Sequence, residues 1–359
     1  MIPSRRALVP LLVIATALAA ALLPISPSWI EAAYSRGVYL AFQRQLTPLT
    51  NTSPVAVTDL LLVGALLAVA LFLRRMWRLS ARRGAWPAVR TLAVVALTTA
   101  ATLYLVFLAA WGLNYRRVPL AARLDFDRAR VNPESVERLA RRLTVRLNEL
   151  HASVHQEGWP AWDDLPARLG PAFEAVQRQL APVTPAVAGV PKRSVLSWYF
   201  QRAGVSGLTD PFALEVVVDR SQLPFERPFV AAHEWAHLAG YADESEANFI
   251  GWLVCFQGPP TAEYSGDLVL LLYALGGLPD AARADVVRSL AAGPREDLVQ
   301  MRERAQLAWR WLQRPAWWVY DRYLRANRVE QGVMSYGAAL ELMTGTRFET
   351  GWMPAVKDR

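Results

Sequence analysis

The sequence predicts a mainly α protein, with transmembrane helices at the N-terminus and a helical domain bearing a short β element behind them. Three observations carry that reading. Apolar runs of membrane-crossing length are confined to residues 1–112. Apolar residues at helical spacing dominate 113–359. The run 214–218, with three consecutive valines bounded by Pro211 and Pro224, has the character of a strand.

Composition supports the membrane class. Of 359 residues, 53% are hydrophobic and 19% charged, and the mean hydropathy is +0.16. These values exclude a disordered chain and disfavour an ordinary soluble protein. A single cysteine, Cys255, excludes an internal disulfide framework and a cysteine-based zinc ribbon. It sits in an apolar run and reads as a small core residue. The net charge of +8 belongs to residues 1–112, where ten arginines face only Glu31 and Asp59. Those arginines flank apolar runs, which is how membrane topology is written, so no nucleic-acid partner is expected.

Three spans are predicted, at about 7–23, 55–73 and 91–111. About 20 helical residues cross a hydrocarbon core of roughly 30 Å. The first run follows Arg5 and Arg6. It could be a signal peptide, but Pro24-Ile-Ser-Pro27 offers no small-residue cleavage site, so an uncleaved anchor is expected. The second contains Asp59 and ends at Arg74 and Arg75; the third carries no charge. Arg74, Arg75, Arg78, Arg82, Arg83 and Arg90 follow the second span, against Arg36 and Arg44 before it. The positive-inside rule therefore puts the N-terminus in the cytoplasm and residues 113–359 on the extracytoplasmic side of the cell membrane. Arg116, Arg117 and Arg123 count against that orientation. A transporter is a weak reading, because Asp59 is the sole acid in any span.

In the C-terminal domain, Asn132-Pro133-Glu134 is a helix start, and Val136, Leu139, Leu143, Leu147 and Leu150 follow at helical spacing. Residues 229–238 read as a helix stopped at Gly240, and 244–256 as a second stopped by Gly258-Pro259-Pro260. A third at 267–275 is too short to span a bilayer. Region 295–330 is helical and Arg-rich, with Trp309, Trp311, Trp317 and Trp318 suited to core or membrane-interface packing.

The chemistry is concentrated at 233–237, His-Glu-Trp-Ala-His. Positions i and i+4 share a helix face, so His233 and His237 can bind one metal ion. Neutral imidazoles suit Zn²⁺, and Glu234 projects where a general base takes a proton from metal-bound water. The competing reading is a structural histidine pair on an ordinary helix. A catalytic zinc needs a third protein ligand and an open position. Asp243 reads as an N-cap, with Glu246 three residues on completing a capping box. Glu244 shares a face with Ala247, Asn248 and Gly251, small and polar enough to lie close to the histidine helix. Glu246 lines up with Phe249, Ile250 and Leu253, the greasy face. Glu244 is therefore the first choice of third ligand and Glu246 the second. Asn248 suits a partner that holds an imidazole in its tautomer.

The stretch HEWAHLAGYADESEANF resembles the active-site segment of gluzincin-type metallopeptidases, where HExxH precedes a Glu-x-x-Ala-Asn/Asp helix. More closely, it resembles an uncharacterised bacterial family of membrane proteins, a domain of unknown function, that combines N-terminal spans with HExxHxxG and ExEANF. The likeness extends to Tyr264-Ser265-Gly266, to YDRYLRANRVEQGV from Tyr320 to Val333, and to Ser335-Tyr336-Gly337. It covers most of the chain, loosely before residue 190 and well after 228. It implies a zincin-like helical domain and a zinc-dependent hydrolase without naming a substrate, and it makes the first glutamate of the pattern, Glu244, the ligand. Asp243, three residues after the glycine, stands where metzincin-type sequences place theirs, and is third choice. The chain departs from the family at 213–219, Ala-Leu-Glu-Val-Val-Val-Asp, where a Gly-Glu-Ala-Asn-like run is expected.

Other residues are open to two readings. His151 and His155 are also spaced i, i+4; a solvated helix end is the first reading, and a second metal site remains open. Tyr264 and Tyr336 are candidates for stabilising an oxyanion, with packing the competing role. The run 214–218 is either an edge strand able to pair with a peptide or a buried strand. The expected function is a membrane-anchored zinc metallopeptidase, with the lipid bilayer and a peptide or protein substrate as partners. The alternative is a membrane-bound binding or scaffold protein with a structural HExxH helix.

Overall fold

The computed structural model describes residues 5–83, 85–327 and 336–357, with only the backbone at 5–7, 83, 336 and 337. It is mainly α, with one small sheet. The apolar runs form helices Arg5–Leu22, Val57–Arg83 and Ala85–Ala110. The second and third are long and apolar enough to cross a membrane. The first is not by itself. Its apolar stretch, Leu8–Leu22, turns through 105° into Pro27–Asn51, with Pro27 at the start of the new helix. The outward face of Val57–Arg83 is leucine and valine, among them Leu60, Val63, Leu67 and Leu71.

The segment between the first two apolar helices, sequence-assigned to the membrane domain, is built into the C-terminal body. Tyr39 donates to the Leu238 carbonyl at 2.9 Å, Gln43 to Val187 at 2.8 Å and Thr47 to Leu214 at 2.7 Å. The start of the second apolar helix docks on the same body. Asp59 accepts from Ser194 Oγ at 2.5 Å and Val195 N at 3.0 Å, and Thr58 N donates to Glu215 Oε1 at 2.6 Å. Asp59 is thus hydrogen-bonded to the body at the helix end, where a charge can be satisfied without entering lipid.

The sheet has strands β1 (Lys192–Arg193), β2 (Gly207–Asp210) and β3 (Glu215–Val218) in the order β1-β3-β2. β1 runs parallel to β3; β2 is antiparallel to it, with Thr209 opposite Val216. β3 is central and buried along its whole length, which decides between the two sequence readings of 214–218. The outer strands of the sheet are β1 and β2.

The helices of the body form where the caps and periodicity require. Pro133–Glu157 begins at Asn132, whose side chain accepts from Ser135 N at 2.9 Å while Ser135 Oγ accepts from Asn132 N. The histidine helix is Arg227–Leu238. Gly240 then turns the chain at φ +81°, where a side chain would meet Asn114 and Tyr39. The helix Glu244–Phe256 returns against it so closely that a Cβ on Gly251 would lie 3.1 Å from His233 N. Pro259-Pro260, read as a stop, also starts the next helix, Pro260–Gly277, which is longer than predicted. The Arg-rich region is two helices, Ala292–Ala305 and Arg310–Ala326. Trp311 and Trp318 are largely exposed on the latter, while Trp309 packs on Trp198. The core is centred on Trp235, Trp252, Phe173 and Phe249, and Cys255 is buried within it. Trp235 satisfies its indole N–H on the Gly189 carbonyl at 2.7 Å, so truncating it would cost about 3–5 kcal/mol.

Candidate metal centre

His233 and His237 sit one turn apart on the histidine helix, and Glu244 opens the helix packed against it. Glu244 Oε2 lies 3.3 Å from His233 Nε2, and Oε1 lies 3.6 Å from His237 Nε2. The other ring nitrogens decide the tautomers. His237 Nδ1 is 2.7 Å from the Tyr241 carbonyl, which can only accept, so the proton is on Nδ1. His233 Nδ1 is 2.9 Å from Asn248 Oδ1, which also accepts from the Tyr273 hydroxyl at 3.3 Å. In neutral rings, both Nε2 lone pairs then face the carboxylate with no hydrogen between. Two ligands held at 2.0–2.1 Å in a tetrahedral arrangement are about 3.4 Å apart. The observed separations bracket that figure, and the two-nitrogen, one-oxygen set suits zinc.

The charges are matched. Burial would raise the Glu244 carboxyl, but the His237 and His233 rings outweigh it and hold it at about 2. Burial would lower His233, but the hydrogen bond and charge of Glu244 raise it. Glu234, on the same helix, is buried. Its carboxyl is raised by that burial, against the lowering pull of both histidines and Thr209. Thr209 Oγ1 lies 2.8 Å from Glu234 Oε2. A Cβ on Gly207 would come within 2.7 Å of Glu234 Oε1, so the glycine lets the carboxylate lie flat on β2.

The remaining sequence candidates separate. Asp243 is the N-cap of its helix, accepting from Ser245 N at 2.8 Å and Glu246 N at 3.3 Å. Glu246 does not return that bond as a capping box. Its Oε1 accepts from Leu120 N at 2.5 Å, and it is not among the ligand atoms that cluster with the histidines. Its carboxyl is pushed up to about 7 by burial and by Asp243, against Leu120 N and the arginines Arg117 and Arg123. Tyr264 is not at this centre either: its hydroxyl donates to Asp297 Oδ2 at 2.5 Å. Tyr336 begins the last helix, and its side chain lies outside the described residues, as do 328–335 of the run that carries the resemblance.

Three neighbours, Tyr320, Thr209 and Trp111, escaped the sequence reading. Tyr320 donates its hydroxyl to Glu244 Oε1, and Tyr323 and Tyr115 stand behind it, 5.9 Å apart. Tyr320 lies in the family-like run, which was its one available signal; Thr209 had none. Trp111, just past the third apolar helix, donates to the His237 carbonyl at 3.0 Å.

A family model described as protein of unknown function (DUF3810) matches residues 34–344. No curated protein and no solved structure matches the chain.

Proposed function

The chain belongs to this family of proteins of unknown function (DUF3810), and from the geometry of its two histidines and Glu244 we propose that it is a membrane-anchored zinc-dependent metallopeptidase. One observation carries the reading: both Nε2 lone pairs and a carboxylate converge at 3.3 and 3.6 Å, while both Nδ1 hydrogens are committed elsewhere. Two neutral ring lone pairs facing a carboxylate repel it, so the arrangement calls for protonated rings or a cation among them, even with the Tyr320 hydroxyl on Glu244 Oε1.

Zinc held by His233, His237 and Glu244 would supply Lewis acidity to a scissile carbonyl and lower the pKa of a water towards about 7. The chain's own residues do the rest. Glu234 takes the proton of the attacking water and passes it to the leaving amine. Its upward shift by burial improves it as a base, and Thr209 orients it. Tyr320, whose phenol is kept protonated by burial and by Glu244, is the hydroxyl at hand to stabilise an oxyanion. It is proposed here in place of Tyr264, whose hydroxyl is bound to Asp297.

A peptide substrate is favoured by β2. Its outer ladder edge pairs with no strand among the described residues, and Gly207 and Thr209 on it touch Glu234. An extended chain added there would run past the base. The arginine bias puts the body on the extracytoplasmic side. The three arginines that count against this are used internally. Arg117 and Arg123 pair with Glu31, and Arg116 donates to the Ala20 carbonyl.

The test uses full-length protein in detergent and an unstructured polypeptide substrate. Glu234→Gln should keep its zinc and lose hydrolysis by about 10²–10⁴-fold. Undiminished hydrolysis by that variant would remove Glu234 from the mechanism, and absence of zinc from wild-type protein would remove the metallopeptidase reading.

A further inference from the structure

The other two histidines of the chain meet a buried carboxylate. His151 and His155 lie one turn apart near the end of Pro133–Glu157, and Asp297 faces them from Ala292–Ala305. His155 Nε2 is 2.9 Å and His151 Nε2 3.7 Å from the same oxygen, Asp297 Oδ2. One ligand atom from each of the three lies within 4.8 Å of the others. The approach is built in. Gly293, one turn before Asp297, sits where any Cβ would be 2.2 Å from the His151 ring, so glycine is required for His151 to reach the acid.

Asp297 is 2% exposed and lies among aromatic rings: Tyr264, whose hydroxyl it accepts, and, around His155, Trp159 and Phe225. Among the described residues no arginine or lysine pairs with it; its ion-pair partners are the two histidines. A carboxylate this buried needs a compensating positive charge, which a protonated imidazole or a cation among the three groups would supply. Two imidazole nitrogens and one carboxylate oxygen are a donor set for a divalent transition-metal cation such as zinc.

We propose that His151, His155 and Asp297 form a second zinc site, separate from the His233 centre. The cation neutralises Asp297 and fastens the end of Pro133–Glu157 to Ala292–Ala305. His155 is partly open to solvent, which leaves a position for water. The site bears on the histidine helix from behind. Phe225, two residues before that helix, packs on the His155 and Trp159 rings. Ser265, beside Tyr264, accepts from Phe229 N in the first turn of that helix at 3.1 Å. Its role is structural.

Zinc content of purified full-length protein, stripped by chelator and reloaded with zinc alone, tests this independently of the first centre. Wild type should hold two equivalents, His233→Ala one, and His233→Ala with His155→Ala none. Added zinc should raise the melting temperature of His233→Ala and leave that of the double variant unchanged. A His233→Ala protein that binds no zinc overturns the second site while the first stands. Wild type with one equivalent that His155→Ala abolishes would instead remove the first. A double variant retaining the zinc of His233→Ala also overturns the proposal, since its ligands would lie elsewhere.

Discussion

The indole N–H of Trp111 closes on the main-chain carbonyl of His237 at 3.0 Å. The last carbonyls of any helix have no partner within it. In the histidine helix two of them are met by aromatic donors from the N-terminal third of the chain, Trp111 on His237 and Tyr39 on Leu238. The turn that carries His237 is thereby tied directly to the end of the third apolar helix. Trp111→Phe keeps the ring contact with Tyr115, 5.2 Å away, but loses the donor. The loss should cost about 1–2 kcal/mol of stability in detergent melts. An unchanged melting temperature would mean that Gly240 N, which donates to the same carbonyl at 2.9 Å, satisfies it alone.

Asn248 sets which nitrogen of His233 carries the proton. Asn248→Ala removes the acceptor and should weaken zinc binding about 10–100-fold in a chelator competition. Asn248→Asp keeps an acceptor in place and should restore most of the affinity. Equal losses in both variants would show that the amide acts through packing instead.

What was legible in the sequence was local. His233 and His237 are one turn apart on any helix, and the Glu244–Asn248–Gly251 face could be read as small enough to lie on it, as it does at Gly251. What was hidden depends on distant pairing. Glu246 stands in the right place for a capping box, yet its oxygen goes to Leu120, 126 residues away. Tyr264 looks like a phenol near an active site until Asp297 arrives from another helix. The polar stretch between the first two apolar runs carries Tyr39, Gln43 and Thr47, and nothing in their spacing says that their partners lie more than 140 residues onward. The region 295–330 read only as helical; the break between Ala305 and Arg310 is set by packing, with Trp309 N on the Arg202 carbonyl.

Tyr320 reaches the centre from a helix that contributes no ligand. Tyr320→Phe should leave zinc content unchanged and lower kcat about 10²–10³-fold, the size of effect seen on removal of one oxyanion donor. KM should move little. A variant with wild-type turnover would limit the phenol to holding Glu244 in place.

Glu31 should carry part of the acid sensitivity, beside Glu244, which is also held at about 2. The Glu31 carboxylate is buried and takes Arg117 at 2.7 and 2.8 Å, Arg36 at 2.8 Å, and Arg123. Burial alone would raise its pKa; the hydrogen bond and charge of Arg117, with Arg123 and Arg36, outweigh it and hold it at about 2 against an ordinary 4.5. A depressed acid stabilises the fold above its unfolded pKa, and the contribution fades as pH falls from about 4.5 towards 2, where the unfolded chain binds the extra proton. The difference is on the order of 3 kcal/mol. Arg117 also donates to the Gly240 carbonyl at 2.8 Å and lies over the Tyr241 ring at 4.3 Å. Protonating Glu31 therefore loosens the turn whose Tyr241 carbonyl orients His237. Glu31→Gln should be less stable at pH 7, because it leaves Arg117 and Arg123 buried with their anion gone. Its melting temperature should then fall less than wild type's between pH 5 and 3. Parallel pH profiles for the two proteins would place the acid-labile group elsewhere.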